Sequence, residues 1–160
     1  MTTRQPADQI DLEAALELKT IYFIESSSRR WNCTPGENET PPEKSSLQLL
    51  VLQSVSEEKI SVRSRLTVKT PQALLIADAA AVYEVKPEAG DSRNPAEDGR
   101  NRVEPDDDAL RAFAENVGVP TIFPFLREAI YGGAQKIGAK TPVIDILRRG
   151  NIELSPTDGP

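Results

Sequence analysis

Few side chains in this sequence could carry out acid–base or nucleophilic chemistry. The carboxylates with apolar neighbours, where burial could favour the protonated acid, are Asp78, Glu84 and Glu128. Each is a single acid without a second acid at a useful spacing, so ordinary sheet or helix carboxylates explain them better than a catalytic pair. Cys33 has no histidine base anywhere in the chain and lies in a loop-like sequence, which favours an unreactive thiol. We therefore expect a protein that is not an enzyme.

Cofactor and metal sites are equally poorly supported. One cysteine and no histidine cannot build a Cys/His zinc site. The run Tyr131–Lys136 has two glycines and a lysine, but it lacks the Walker spacing and a preceding strand, which argues against nucleotide binding. Asp106–Asp108 follow Pro105 and precede an amphipathic run, so they predict a helix N-cap rather than a metal site. We expect no cofactor and no metal.

The composition is that of a soluble, acidic, single-domain protein. The chain has 160 residues, 38% hydrophobic and 28% charged, with a formal charge of −6, which suits one domain over 1–160. The charge argues against nucleic acid as the main partner, and Arg148 and Arg149 are an isolated basic pair. We expect no membrane span and a cytoplasmic location. Residues 1–10 and 155–160 should be flexible tails, and 87–105 a mobile loop.

Four segments have β-strand character. Residues 12–31 begin with a helix-like run and continue with β-formers, and we predict a strand from about Leu16. Residues 47–53 and 60–69 predict a hairpin. Residues 73–86 are alanine-rich enough for a helix, but they follow a turn and end in β-formers, so we predict a strand. The predicted alternation places Leu16, Leu18, Thr20 and Tyr22 opposite Glu17, Lys19, Ile21 and Phe23, and it places Ile60, Val62, Leu66 and Val68 on one face.

A long helix should follow the strands. An apolar stripe at helical spacing runs through Ile122, Leu126, Ile130 and Ile137, and Gly138 marks its end. Pro120 and Pro124 interrupt this pattern, and they predict a break or kink that packing must hold. Gly132 and Gly133 weaken the helix, which predicts the close approach of another backbone, here a second subunit.

Two stretches of this C-terminal part resemble a known family. Phe123-Pro-Phe-Leu-Arg-Glu128 resembles the helix signature of the SecB export chaperones, and Lys140-Thr-Pro-Val-Ile-Asp-Ile-Leu147 resembles their Pro-rich aliphatic segment. Residues 60–68, 73–78 and 82–85 are similar to the third and fourth strands of the family, whereas 1–45 match only by pattern. The resemblance implies an α+β fold, with a four-stranded antiparallel sheet packed against a long proline-kinked helix. The C-terminal helix of the family would be short or missing.

The same resemblance implies a function and its partners. Family members are ATP-independent chaperones that hold non-native polypeptides in an apolar groove, and Ile122, Phe125, Val143 and Ile146 would line that groove here. The subunits would form a homotetramer as a dimer of dimers, with Gly132 and Gly133 at an interface. The motor protein SecA docks on acidic sheet positions, of which only Asp78 has a match.

Two other roles stay open at this point. SecB-like relatives also serve as dedicated chaperones of antitoxins in toxin–antitoxin systems, and the sequence does not separate that role from general export. From a different class, a non-catalytic scaffold could use the same fold, because function does not follow from fold alone. Binding of many unrelated unfolded proteins would argue against the scaffold hypothesis.

Overall fold

The computed structural model describes residues 11–56, 58–86 and 105–147. Its elements are α1 (Leu12–Ala15), β1 (Leu16–Arg30), β2 (Ser46–Ser56), β3 (Lys59–Lys69), β4 (Ala73–Val85), α2 (Asp107–Phe113), a π-helical turn (Ala114–Gly118) and α3 (Val119–Lys136). The predicted tails, and the predicted mobile loop apart from Pro105, lie outside the described residues. The α+β class and all four strands are confirmed.

The strands form one antiparallel sheet in the order β1-β4-β3-β2. Because β1 and β2 lie at opposite edges, the connection between them crosses from one edge of the sheet to the other. The connection is anchored where it begins: Trp31 Nε1 donates to the carbonyl of Thr70 (2.7 Å), and Asn32 exchanges hydrogen bonds with the backbone of Glu39.

One face of the sheet packs against α3 and the other stays uncovered by the described residues. On β3 the pattern alternates strictly, and Ile60, Val62, Leu66 and Val68 are all buried, as predicted. The α3 face of β4 is built from alanines and larger apolar residues, and it contributes Leu75 and Tyr83 to the same core. The small side chains allow the helix to lie close to the sheet.

The predicted alternation along β1 is wrong beyond Leu18. Register shifts occur between Leu18 and Thr20 and between Phe23 and Glu25. Such bulges insert an unpaired residue and exchange the two faces of the strand. Phe23 therefore aligns with Ala79 on the α3 face of the sheet, whereas Tyr22 aligns with Ala80 on the opposite face.

The helical part runs without interruption from Asp107 to Lys136 and absorbs both prolines. Asp106 caps its start as predicted, since its carboxylate accepts from the amide of Ala109 (2.7 Å). The distortion predicted at Pro120 takes the form of the π-helical turn just before it, where Val119 donates to the carbonyl of Ala114. Pro124 lies inside α3 and does not end it.

The π-helical turn brings the helix very close to the sheet. A Cβ at Gly118 would lie 2.7 Å from Cγ2 and 2.8 Å from Cγ1 of Val62, and Val62 is fully buried. Only glycine fits at this contact. Apolar residues of α3, among them Ile122, Leu126 and Ile130, then fill the space over β3 and β4.

The end of α3 is held by a side chain from β1. Gly138 adopts a left-handed conformation (φ 63°) just after the last helical residues, as its predicted role requires. Arg30 donates from Nε to the carbonyl of Ile137 (2.9 Å) and from Nη2 to that of Gly138 (2.7 Å). The chain then continues to Leu147 without regular structure.

Candidate functional site

Within the described residues, two open grooves run beside α3. The first, called here the strap groove, lies between α3 and residues 141–146; it has a volume of about 670 Å³ and takes Arg127 and Tyr131 from the helix. The second, called here the β1 groove, has about 710 Å³ and lies between α3 and β1, with Phe23 and Phe125 among its lining residues. Both volumes are within the range of ligand-binding clefts, roughly 300–1,000 Å³.

Tyr131 holds the strap, residues 141–147, against the helix. Its hydroxyl donates to the carbonyl of Ile144 (3.4 Å) and accepts from the amide of Ile144 (3.3 Å). The Ile144 side chain is itself buried at 3% exposure. The neighbouring apolar side chains are not buried with it, and Val143 is 94% exposed. The strap therefore presents apolar side chains to solvent from a fixed position.

Arg127 joins Tyr131 in the wall of the strap groove. Its Nε donates to the Tyr131 hydroxyl (3.0 Å), and its guanidinium carbon lies 5.2 Å from the centre of the tyrosine ring. The two residues are four positions apart, so they share one helix face. The hydrogen bond from Arg127 lowers the pKa of Tyr131. The pair fixes a cationic group beside an apolar cleft.

The four residues predicted to line one groove are divided among three places. Val143 and Ile146 line the strap groove, and Ile146 is 65% exposed. Phe125 lines the β1 groove at 45% exposure. Ile122 is fully buried between α3 and the sheet, so it packs in the core and is inaccessible to a client in this structure. Helical geometry explains this separation, because Ile122 lies on the face of α3 that packs against the sheet and Phe125 does not.

The two glycines predicted at a subunit interface both line the β1 groove. A Cβ at Gly133 would lie 3.1 Å from Cβ and Oγ of Ser28, so this glycine already allows a close approach within the same chain. A Cβ at Gly132 would meet nothing within 4 Å. Gly132 therefore keeps an open surface, and its place in an interface stays a prediction.

Asp78, the predicted docking position for SecA, lies under two arginines on the uncovered face of the sheet. Its carboxylate accepts from Arg63 Nε (2.9 Å) and Nη2 (2.7 Å) and from Arg65 Nη1 (3.0 Å). Arg65 also donates to Glu25 (2.6 Å). Asp78 has no exposed surface, and the hydrogen bond from Arg63 is the main cause of its lowered pKa, against the effect of burial. Because the arginines cover it, Asp78 offers no surface for a partner to bind.

The candidate catalytic carboxylates are not brought together. Glu84 shares the uncovered sheet face with Asp78 but is six residues along β4, roughly 20 Å away at strand spacing, and it pairs with Lys59 (3.1 Å). Glu128 is on α3, on the other side of the sheet, and lines the β1 groove. Cys33 is an exposed free thiol.

Within residues 11–56, 58–86 and 105–147, no group of three or more histidine, cysteine, aspartate or glutamate side chains could hold a metal ion. In that same part of the chain, no helix is long and apolar enough to cross a membrane.

Two functional features were missed by the sequence reasoning. The Arg127–Tyr131 pair was detectable, since a cation and an aromatic ring at i, i+4 on a helix form a recognisable signal. The network of Arg63, Arg65, Asp78 and Glu25 was not, because it joins three strands whose pairing is decided only in the folded sheet.

Comparisons with known proteins agree with this architecture. No family model matches the chain. The SecB-like chaperone SmegB of Mycolicibacterium smegmatis is 28% identical over 139 residues, which cover 87% of this chain and 80% of SmegB. The Rv1957 SecB-like chaperone of Mycobacterium tuberculosis, solved with a ChAD peptide from the Rv1956 HigA1 antitoxin, superposes with a TM-score of 0.63. That structural match is 15% identical and covers 87% of this chain and 92% of the neighbour. The chain therefore resembles SecB-like chaperones in sequence and shares their fold.

The resemblance to SecB-like chaperones inferred from Phe123–Glu128 and the strand pattern is thereby confirmed, and so is the fold. The signature lies on α3, where Phe123 and Leu126 face the core and Phe125 faces the β1 groove. Arg127, from the same signature, faces the strap groove. One short motif thus serves the core and both grooves.

Proposed function

We propose that this protein is an ATP-independent molecular chaperone that binds non-native polypeptides along the strap groove beside α3 and keeps them unfolded. The observation that carries the proposal is the strap, an anchored segment that holds Val143 and Ile146 in solvent at 94% and 65% exposure. Exposed apolar side chains on a fixed segment are costly unless a partner covers them. The chaperone relative SmegB supports the same reading.

The backbone of the strap suits an unfolded partner as well. Among the described residues, neither Val143 nor Asp145 makes a backbone hydrogen bond, whereas Ile144 between them uses both of its backbone groups on Tyr131. An extended client has free backbone donors and acceptors and scattered apolar side chains. Pairing with such a segment gives affinity without strict sequence demands. This mode of binding needs neither a nucleotide nor a catalytic residue.

A dedicated antitoxin chaperone is the second candidate. Its support is the solved neighbour, whose partner is a peptide of the HigA1 antitoxin. In both cases the ligand is an extended peptide, and only the number of clients differs. Measuring binding to several unrelated unfolded proteins and to a candidate antitoxin therefore distinguishes an export chaperone from a dedicated antitoxin chaperone.

We further propose a cytoplasmic homotetramer built as a dimer of dimers. The β1 edge supports self-association, because Leu18, Tyr22, Phe23 and Ile24 are between 43% and 49% exposed along it. The β1 groove continues this surface onto α3 through Phe125 and Gly132. The exposed thiol of Cys33 is compatible with a reducing compartment.

The test of the chaperone proposal is suppression of aggregation. Several unrelated denatured clients are diluted to their aggregation point with and without the protein, and light scattering is recorded. We expect wild type to suppress scattering and Val143→Asp to lose at least half of that effect, because a charge replaces the most exposed apolar side chain of the strap. The substitution removes no core contact, so the variant should fold normally.

Val55→Asp is the matched control. It makes the same chemical change at a 44% exposed position of β2, outside both grooves, and should retain suppression. If wild type fails with every client, general chaperoning is overturned, and co-expression with a candidate antitoxin becomes the deciding assay. Equal loss in both variants would contradict the assignment of the strap.

A further inference from the structure

Arg127 is a cation at the wall of an apolar cleft, and it has no carboxylate partner in the part of the chain that the structure describes. Arg29, Arg63 and Arg65 each form an ion pair with an acidic side chain. Within the described residues, no carboxylate oxygen lies within 4 Å of Arg127. Its Nε is used by the Tyr131 hydroxyl, and the two terminal nitrogens have no recorded acceptor among those residues.

The position of this guanidinium is fixed before any ligand arrives. Tyr131 is tied to the strap through Ile144, and Arg127 both donates to the tyrosine hydroxyl and stacks over its ring. A pre-positioned arginine loses less side-chain entropy when it binds a carboxylate. Its planar fork can also bind both carboxylate oxygens at once.

The rest of the strap groove is largely apolar, with one acidic exception. Val143 and Ile146 offer apolar surface, while Asp145 lines the same cleft from the strap. Asp145 lies beyond ion-pair distance from Arg127, so it does not neutralise the arginine directly. Asp145 would repel a ligand carboxylate elsewhere in the cleft. The positions at which that carboxylate can bind are therefore restricted to the surroundings of Arg127.

We propose that the strap groove selects extended client segments that carry a carboxylate side chain among apolar ones, with Arg127 as the specificity-determining residue. This inference rests on the proposed chaperone function and names the class of client that this groove prefers. The acidic chain as a whole repels such clients at long range, but that repulsion is screened by salt over roughly 8–10 Å. The contact with Arg127 is local and is screened much less.

The experiment uses two fluorescein-labelled peptides with the same leucine and valine positions, one with glutamate and one with lysine at the intervening sites. Binding is followed by fluorescence anisotropy at physiological salt and again at higher salt. We expect wild type to bind the glutamate peptide roughly fivefold to tenfold more tightly, the range for a charge-assisted hydrogen bond in a half-exposed cleft. Arg127→Met keeps the apolar stem and should abolish this preference.

Arg111→Met is the matched control, because it removes the same charge from α2, outside both grooves. It should keep the preference, and an equal loss in both variants would reduce the effect to net charge and overturn the inference. Asp145→Asn breaks no hydrogen bond among the described residues, and it should raise the affinity for the glutamate peptide further. This second variant tests the inference even if Arg127→Met folds poorly.

The two proposals fail in different ways. If neither peptide binds wild type, general chaperoning and the selectivity are both overturned. If both bind with equal affinity and Arg127→Met changes neither, the chaperone function stands and the selectivity is overturned.

Discussion

At the scale of single residues, the ion network on the uncovered sheet face holds a buried carboxylate. Asp78 is fully buried, whereas Arg63 and Arg65 are partly exposed at 41% and 32% of their side chains. A buried carboxylate is tolerated only when its hydrogen bonds are satisfied. The arginines satisfy it and at the same time remove it from the surface, so the network is structural.

The lowered pKa of Asp78 predicts the direction of its pH dependence. The folded pKa lies below the unfolded value, so the stabilisation is present above the unfolded pKa of about 3.9 and is lost as the pH falls through the folded pKa. Asp78→Asn should lower the free energy of unfolding by about 1–3 kcal/mol at neutral pH, since it loses the charge-assisted hydrogen bonds. Its stability should also depend less on acid than that of wild type.

Urea denaturation of wild type and Asp78→Asn between neutral and acidic pH measures both effects. Glu25→Gln is the comparison, because Glu25 is partly exposed and shares only Arg65. At neutral pH, Glu25→Gln should lower the free energy of unfolding by less than Asp78→Asn does. A variant at Asp78 with the full acid dependence of wild type would show that other carboxylates control acid unfolding.

At the scale of elements, the approach of the helical part to the sheet decides which glycines matter. Gly118 lies against a fully buried valine on β3, whereas Gly132 faces open space on the surface of α3. Both glycines lie in the helical part of the structure, and their consequences are opposite. The first glycine is required by packing, and the second only lowers helix propensity.

The paired substitutions Gly118→Ala and Gly132→Ala test this difference. At Gly118 the new methyl group would overlap Val62, and we expect a loss of about 1–3 kcal/mol in unfolding free energy from overpacking. At Gly132 the same change should be neutral or gain up to about 1 kcal/mol from helix propensity. Thermal denaturation of wild type and the two variants measures both changes in stability. A Gly118→Ala variant as stable as wild type would contradict the close contact with β3.

At the scale of the whole molecule, both edges of the sheet carry exposed apolar residues, but only one continues into a groove of α3. The β1 edge leads through Phe23 into the β1 groove, next to Phe125 and Gly132. The β2 edge exposes Leu47, Leu50 and Leu52 and has no such continuation in either groove. An uncovered edge strand invites pairing with another chain, and the larger continuous surface is the better interface.

Self-association should therefore depend on β1 more than on β2. We expect Phe23→Asp to lower the molar mass measured by size-exclusion chromatography with multi-angle light scattering, because a charge would be buried in the interface. Leu52→Asp, at a similar exposure of 46% against 44% for Phe23, should leave the mass unchanged. The reverse result would move the interface to β2, and a monomeric wild type would overturn the proposed tetramer.

Features that depend on neighbours in sequence were predictable from the sequence itself. The period-two pattern of β3, the Asp106 cap and the left-handed Gly138 each follow from a few consecutive residues and local backbone geometry. The Phe123–Glu128 signature indicated the resemblance to SecB-like chaperones and, through it, the fold. The exposed groove residues Val143 and Ile146 also came from that resemblance.

Features that depend on distant partners were decided only by the tertiary structure. The bulges in β1 are fixed by pairing with β4, the burial of Asp78 by arginines on β3, and the separation of Ile122 from Phe125 by the rotation of α3 against the sheet. A pattern of residue types specifies which side chains can be buried, but not which strand or helix covers them. That choice is made by packing, which joins residues far apart in the chain.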